Sequence, residues 1–555
     1  MMLAHSPSSA GWSARSLPPL LGPVLVFACY LVMVARHTQN IPYWDDYDAI
    51  LIALLDLHRD GNWFNFLFHP HVDHLIVPVK LLGEVQWRLF GRVDFAWYIY
   101  LGNLSLFGLY LCWRATFPHL RERPLWQVMA ALALFNLSYW EASIWAMTAL
   151  SNLPVLVLAW ASLVWLARPS RGAFGLGLGL AVLATFTQGN GLLLFAAGVL
   201  VLVPQRRWRA LALWLLVGAA LAAFYIGLRQ YFVVDTKIAN ASTLLLSRPH
   251  EVLMFFLAFI GAGFRAAHAA MAAGALLLIG LALAWWRVPT SRSPVLLAWL
   301  GLLLLSALAA TWSRASIGVE AALSSRYSLY GCLLLALLIG MAAPAIDQMG
   351  RGRKVLSWLL MALLAVGWVA TYRVNKAELR QHYDNNLALQ AEPGTCSVYA
   401  YPGQTHAAKA LAEARATGLF PIDRIRNCVD IESSWLSDWP PAVRADGSLD
   451  RITVEGAAVV AVGWVRLPDT LPERRLELSA PVAPSKIELA SLDRPDVAVA
   501  LSDPGLRRSG FILRLEYPST EAANAALLSL CLGYRGADGQ RVVLPHRAAE
   551  CLLGQ

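Results

Sequence analysis

The sequence predicts a polytopic α-helical membrane protein of about 11 transmembrane helices, followed by a mostly β, sandwich-like soluble domain. Three observations carry that expectation. With a mean hydropathy of +0.52, 57% hydrophobic and 15% charged residues over 555 positions, the chain is too apolar for a soluble protein of this length. Apolar runs of about 20 residues recur from Leu17 to Tyr372, each long enough to cross a bilayer. Beyond about residue 375 these runs cease, and short alternating segments punctuated by Asp, Pro and Gly follow.

Eleven spans are expected, at roughly 18–36, 95–116, 125–140, 148–167, 173–187, 190–204, 209–228, 265–286, 294–312, 329–346 and 355–371. The fifth and sixth are short, and 251–264 reads as a re-entrant or surface helix. Residues 1–17 form an N-terminal tail without a small-residue cleavage site, so the first span reads as a retained anchor. Basic residues then fix the orientation. Arg15 precedes the first span, Arg121 and Arg123 follow the second, and Arg168 and Arg171 follow the fourth. Arg206, Arg207 and Arg209 follow the sixth, Arg287 and Arg292 the eighth, and Arg351, Arg353 and Lys354 the tenth. With eleven spans all these clusters lie on one side, which the positive-inside rule makes cytoplasmic. The N-terminus is then cytoplasmic, while the first long loop and the C-terminal region lie outside. The net charge of +9 comes largely from these loops, so it argues for topology and against a nucleic-acid partner.

Charges on the outer side run against this trend and are candidates for function. They include Asp45, Asp46, Glu141, Arg229, Arg248, Glu251, Arg265, Arg314, Glu320 and Arg326. Outer arginines suit an anionic ligand, because a planar guanidinium pairs bidentately with phosphate. The alternative for each is an interfacial anchor or an ion pair. Trp44-Asp45-Asp46-Tyr47-Asp48 stands just beyond the first span, at the mouth of a membrane bundle where charge is costly and is kept mainly for function. The competing reading is a solvated turn that caps a helix starting near Asp48.

The first outer loop, about 37–94, is long for a bundle connection. Segments 47–59 and 78–90 carry apolar residues at helical spacing, interspersed with Asp48, Asp56, His58, Lys80, Glu84 and Arg88, and read as amphipathic helices on the membrane surface. Between them lies His69-Pro70-His71-Val72-Asp73-His74. Its spacing fits no standard zinc signature, so contacts to substrate or neighbouring loops are expected of His71, Asp73 and His74; a divalent metal is left open, with no ligand set assigned.

At these residues the chain resembles the GT-C glycosyltransferases, polytopic enzymes that take sugars from polyprenyl-phosphate donors. The resemblance rests on the acidic pair Asp45-Asp46 at the start of a large first outer loop, followed by two juxtamembrane helices. It is similar to bacterial members with a His-Asn-Glu-His-Arg type segment, which His71-Val72-Asp73-His74-Leu75-Ile76 matches in both histidines and the acid but not in the arginine, replaced by Leu75. Thr187-Gln188-Gly189-Asn190-Gly191 and Ser324-Ser325-Arg326-Tyr327 are also similar to that group, and the likeness covers about residues 18–375. It implies an inverting transfer at the periplasmic face of a bacterial inner membrane, with Asp45 as general base and Asp46 orienting it or helping to bind a metal. The departing phosphate needs fixed positive charge, for which Arg314, Arg326 and Arg265 are the candidates. Substrate contacts are expected from His71, Asp73, His74, Glu141, Gln188, Asn190 and Tyr327. The partners implied are a polyprenyl-phosphate-linked sugar, an envelope glycan or lipid acceptor, and the membrane lipids.

Gln188-Gly189-Asn190-Gly191 interrupts a long hydrophobic stretch, where freed backbone must face protein or a water-filled cavity; a plain hairpin is the equal alternative. Trp140 is expected in the interfacial aromatic belt, beside Glu141. Past the bundle, 376–450 reads as a helical linker region and 451–555 as the β domain. Gly463-Trp464 and the run from Arg494 through Asp503-Pro504 to Phe511 look like small sandwich modules of bacterial envelope proteins, a glycan- or protein-binding unit or a passive cover. Cys396, Cys428, Cys531 and Cys551 all fall in the outer region, an even number suited to disulfides. Cys396–Cys428 and Cys531–Cys551 close the shortest loops of the three possible pairings. Two other classes of function remain: a flippase or transporter of lipid-linked glycans, which calls for charges deep in the bilayer, and a membrane-anchored envelope assembly or binding protein.

Overall fold

The computed structural model describes residues 17–232 except Asp73, then Leu244, 247–288, 293–350, 352–390, 410–420 except Ala412, and, with interruptions, 432–544. The chain divides into two compact units, Met1–Tyr383 and Asp384–Gln555.

The first unit is helical. Helix α1 (Leu17–Ala35) leads into the first long loop, which holds a π-helical turn (Tyr47–Ile52), α2 (Ala53–Asp60), α3 (Trp63–Phe68) and α4 (Val77–Phe90). There follow α5 (Phe95–Thr116), α6 (Pro124–Leu134), α7 (Trp140–Ile144), α8 (Ala146–Leu166), α9 (Arg171–Thr187), α10 (Leu193–Leu202) and α11 (Trp208–Tyr231). The unit is completed by α12 (Pro249–Ile260), α13 (Ala267–Arg287), α14 (Pro294–Arg314), α15 (Ser328–Asp347) and α16 (Gly352–Gln390).

Among the described residues seven helices are long and apolar enough to cross a membrane: Phe95–Thr116, Ala146–Leu166, Trp208–Tyr231, Ala267–Arg287, Pro294–Ile317, Ser325–Asp347 and Gly352–Arg380. The chain is a multi-pass membrane protein. The expected count of about 11 is not reached on this criterion. Pro19–Ala35, Arg171–Thr187, Gly189–Leu202 and Pro249–Ile260 are apolar but only 10–17 residues long. The expected third span stops at Leu134, because the Asn136 side chain accepts from Ser138 N and closes a new turn. The fifth and sixth are separated by a 3-10 turn, Gly189–Leu192, packed so closely on α9 that a Cβ on Gly191 would lie 2.4 Å from the Ala184 carbonyl carbon. Close backbone approach is a normal device of membrane helices, where apolar surfaces have no hydrophobic reason to prefer each other over lipid. Indoles are also enlisted inside the bundle: Trp113 Nε1 donates to Ala336 O at 2.8 Å, and Trp214 Nε1 to Phe195 O at 2.9 Å.

In the first long loop the amphipathic pattern of α4 is resolved with its polar side turned inward. Lys80 and Glu84 are 4% and 3% exposed, whereas Leu81, Val85 and Leu89 project outward. Glu84 is satisfied by His58 Nε2 at 2.9 Å and Arg88 Nε at 2.5 Å. An outward apolar stripe beside a folded polar interior suits a helix lying on a lipid surface.

The second unit carries two sheets. The five-stranded sheet has the order β1-β5-β8-β9-β2 and the four-stranded sheet β3-β4-β7-β6, with β1 Glu432–Trp435, β2 Val443–Arg444, β3 Gly447–Glu455, β4 Ala458–Val465, β5 Arg475–Ser479, β6 Lys486–Leu492, β7 Gly510–Glu516, β8 Cys531–Arg535 and β9 Arg541–Val543. β1 and β2 fall inside 376–450, the stretch expected as a helical linker. Alternate residues of β4 and β7 (Val459, Ala461, Leu513, Leu515) meet Leu476, Leu478 and Leu532 of the other sheet, and Ala523 and Ala526 of α17 (Thr520–Ser529) enter the same core. Among the described residues the unit is thus sandwich-like, with α17 packed into its core. Cys531 is disulfide-bonded, while Cys396, Cys428 and Cys551 lie outside the described residues; Cys29, Cys112 and Cys332 are free.

Candidate functional site

The acidic loop is fastened to the bundle by Asp46. This residue is 0% exposed, and its two carboxylate oxygens accept from Tyr43 N at 3.0 Å and Met147 N at 2.8 Å. Its side chain makes no cap to the π turn that follows, so the capping alternative does not describe it. Burial pushes the Asp46 carboxyl up to about 8, and the amides of Met147 and Tyr43 pull it only part of the way back. Asp45 differs. Its side chain is 32% exposed, and its Oδ2 lies 3.4 Å from His71 Nε2, within ion-pair range but not aligned for a hydrogen bond. His71 is itself fixed by backbone, since His71 N donates to His74 O and His74 N to His71 O, both at 2.9 Å.

Backbone strain gathers at this pair. Trp44 (φ 47°), Val72 (φ 53°) and Arg206 (φ 55°) are the non-glycine residues with positive φ among those described, and the first two adjoin Asp45 and His71. A β-branched residue in this region costs on the order of 1–3 kcal/mol and persists only where its surroundings impose it.

A second wall comes from residues 314–327. Arg314 donates to the Tyr327 hydroxyl and its guanidinium lies 5.5 Å from that ring centre. Arg326 lies over the other aromatic neighbours, 5.7 Å from the Trp145 ring and 5.5 Å from Tyr327. Its Nε is buried with no hydrogen-bond partner among the described residues. Glu141 pins this segment: its Oε2 accepts from Ser324 Oγ at 2.9 Å, Ser325 Oγ at 3.0 Å and Arg326 N at 3.3 Å. The two walls meet through aromatic rings. Tyr43, whose amide holds Asp46, sets its ring edge-on to Trp145 at 5.4 Å, and Trp145 carries Arg326. Burial and then Glu141 push the Tyr43 phenol up to about 12.

Asp45, Asp46, His71, Glu141, Arg314, Arg326 and Tyr327 therefore belong to one connected region. Asn190 reaches its border, donating to Tyr330 Oη at 2.8 Å, one helical turn beyond Tyr327; Gln188 donates instead to Asn152. Arg265 is engaged elsewhere, with Glu378 Oε1 at 2.7 Å and Asn375 Oδ1 at 2.9 Å. Trp140 also turns to that cluster, donating to Glu378 Oε2 at 3.1 Å, and is 8% exposed, so it is packed in the bundle and not set in an interfacial belt. Asp73 lies outside the described residues. Among those described, no three His, Cys, Asp or Glu side chains converge as metal ligands.

Sequence reasoning passed over Tyr43, Trp145 and Met147, which join the two walls. Their types gave no signal, because aromatic and apolar residues are the background of a membrane chain. It also named Lys80 only as a polar residue of an amphipathic surface helix. Lys80 is buried, donates from Nζ to His69 O at 2.8 Å, and its amine is pushed down to about 8 by burial.

No protein-family model matches the chain, and no curated protein does. Among solved structures, ArnT from Cupriavidus metallidurans in the apo state aligns at 12% identity and a TM-score of 0.42, covering 89% of this chain and 98% of that one. The same protein bound to undecaprenyl phosphate aligns at 14% identity and a TM-score of 0.37, covering 90% and 98%. An Archaeoglobus fulgidus oligosaccharyltransferase tethered to an acceptor peptide aligns at 13% identity and a TM-score of 0.39, covering 75% of this chain and 62% of that one. Likenesses of this size carry no argument about chemistry.

Proposed function

We propose that this chain is an integral-membrane glycosyltransferase of the GT-C type, which moves a sugar from a polyprenyl-phosphate donor to an envelope acceptor such as a lipopolysaccharide, another polysaccharide or a lipid. The observation that supports it best is Arg326: a half-buried guanidinium over Trp145 and Tyr327, its Nε without a partner among the described residues, beside Arg314 and joined through Trp145 and Tyr43 to an acidic loop. Desolvated, preorganised positive charge favours an anion most when that anion is gaining charge.

In the reaction, the acceptor hydroxyl oxygen bonds to the anomeric carbon from one face while the bond from that carbon to the phosphate oxygen breaks on the other. The electron pair leaves with the polyprenyl phosphate, held by Arg314 and Arg326, and the configuration inverts. The hydroxyl proton passes to Asp45, the exposed member of the acidic pair, which His71 adjoins. Asp46 is a positioning residue, enclosed and bonded to two amides. Glu141 acts likewise, by fixing Ser324 to Arg326. The outer, periplasmic side of a bacterial inner membrane is assigned from the six basic clusters on the opposite side.

The test compares envelope glycans and glycolipids by mass spectrometry in a deletion strain, the strain restored with the native chain, and the strain restored with Asp45→Asn. A sugar mass restored only by the native chain supports the reading, with transfer by Asp45→Asn expected to fall about 10²–10⁴-fold. Unchanged glycans in all three strains refute it, and full restoration by Asp45→Asn refutes the base.

A further inference from the structure

We infer that the cavity enclosed by the first outer loop is a saccharide pocket that takes a hydroxyl-rich, non-anionic sugar ring; this rests on the transferase reading and names the chemistry of one of its substrates. The cavity has a volume of about 460 Å³, within the range of small-molecule sites. Its polar lining is mixed: Asp48, Asp56 and Asp60 present acceptors, Asn65 presents both donor and acceptor, and Lys80 and His71 present nitrogen. Sugar hydroxyls donate and accept at once, so a lining of both kinds suits them.

One buried group points to an occupant. Lys80 is 4% exposed and lines the cavity, and among the described residues its ammonium has one acceptor, the His69 carbonyl, so it keeps donor capacity to spare. A buried donor left unmade is costly, and a ligand oxygen would relieve it. Phe66 and Pro70 add an apolar wall for the C–H face of a ring. Asp56 is paired with Arg59 at 3.1 Å, which leaves Asp48 and Asp60 against the Lys80 ammonium, a balance that still disfavours an anionic ring, and the carboxylates do not converge as a metal site. His71 also lies 3.4 Å from Asp45, so a sugar in the pocket borders the proposed base. The ring comes either from the donor or from the acceptor.

The test uses the full chain in lipid nanodiscs and saturation-transfer NMR. The probes are the methyl glycosides of glucose, galactose, mannose and N-acetylglucosamine, with glucose 6-phosphate as the anionic comparison. At least one neutral glycoside is expected to receive saturation, glucose 6-phosphate to receive little, and Asn65→Leu and Asp56→Asn each to weaken binding about tenfold, the loss of about one hydrogen bond. Displacement of the glycoside by undecaprenyl phosphate assigns the pocket to the donor; indifference assigns it to the acceptor. The inference is overturned if no neutral glycoside binds the native chain, if glucose 6-phosphate binds as well, or if variants with native elution bind as the native chain does. Asp45→Asn separates the two readings, since Asp45 does not line the cavity. Glycoside binding with transfer surviving in Asp45→Asn sinks the base and spares the pocket. Lost transfer without glycoside binding sinks the pocket and spares the transferase.

Discussion

Asp46 offers the sharpest single perturbation. Its two oxygens are acceptors for the buried amides of Tyr43 and Met147, at 3.0 and 2.8 Å, and no part of the residue is exposed. Asp46→Ala strands both amides, and a buried donor left unpaired costs about 1–3 kcal/mol, so the loss is about 2–6 kcal/mol. Asp46→Asn keeps one acceptor and turns its amide toward the other donor, so its cost is about half of that. The pH dependence adds a signature that packing alone lacks. The folded carboxyl holds its proton up to about 8, against 3.8 ordinarily, so the folded chain binds more protons between these values. Its contribution is whole below the lower value and is lost as pH rises through the upper, at about 1.4 kcal/mol per unit in between. Thermal unfolding in detergent is expected to show a native midpoint that falls between about pH 6 and pH 8, and an Asp46→Asn midpoint that falls less steeply. Equal slopes would refute the proton on Asp46. An Asp46→Ala protein with native midpoint and native transfer would refute its role as fastener.

Three further outcomes are expected. Arg326→Lys keeps the charge but loses the planar stack on Trp145 and Tyr327, so the apparent donor affinity falls about tenfold or more while the unfolding midpoint moves little; transfer kinetics against donor concentration check this. Glu141→Gln keeps the shape but weakens charge-assisted bonds from Ser324, Ser325 and Arg326, costing about 1–3 kcal/mol in thermal unfolding and lowering transfer with it. Gly274→Ala would place a Cβ 2.1 Å from Leu257 O, forcing α12 and α13 apart, and is expected to lower the midpoint without altering the donor concentration dependence of the remaining activity.

Hydropathy made the helical bundle legible because an uncharged apolar run of spanning length is costly to keep in water and stable in a bilayer, and seven of the expected spans stand as such helices. Asn136 shows why the third failed: its side chain closes a turn inside an apolar run, and a window of averaged hydropathy does not register one cap. The alternation of Val459, Ala461, Leu513 and Leu515 made the sandwich readable for the same kind of reason, since period two leaves one face for a core. The site was legible in its charges, which are conspicuous against lipid. Asp45, Glu141, Arg314 and Arg326 stood out, but the fate of Arg265 did not, because its partner Glu378 is distant in sequence and no local pattern links them. The burial of Lys80 was not legible because helical periodicity tells that a helix has two faces and not which one meets protein.

The clasp between Glu141 and Ser324 joins groups 183 residues apart. Ribosomes deliver chains from the N-terminus, so the carboxylates of the first loop enter the membrane early and the two arginines near the end of the bundle arrive late. On the proposed reading, a stalled or truncated product ending before Ser324 carries the proton acceptor without the complete anion cradle. On that same reading a fragment of this kind is expected to be inactive, so competence would come only when nearly the whole bundle has been made.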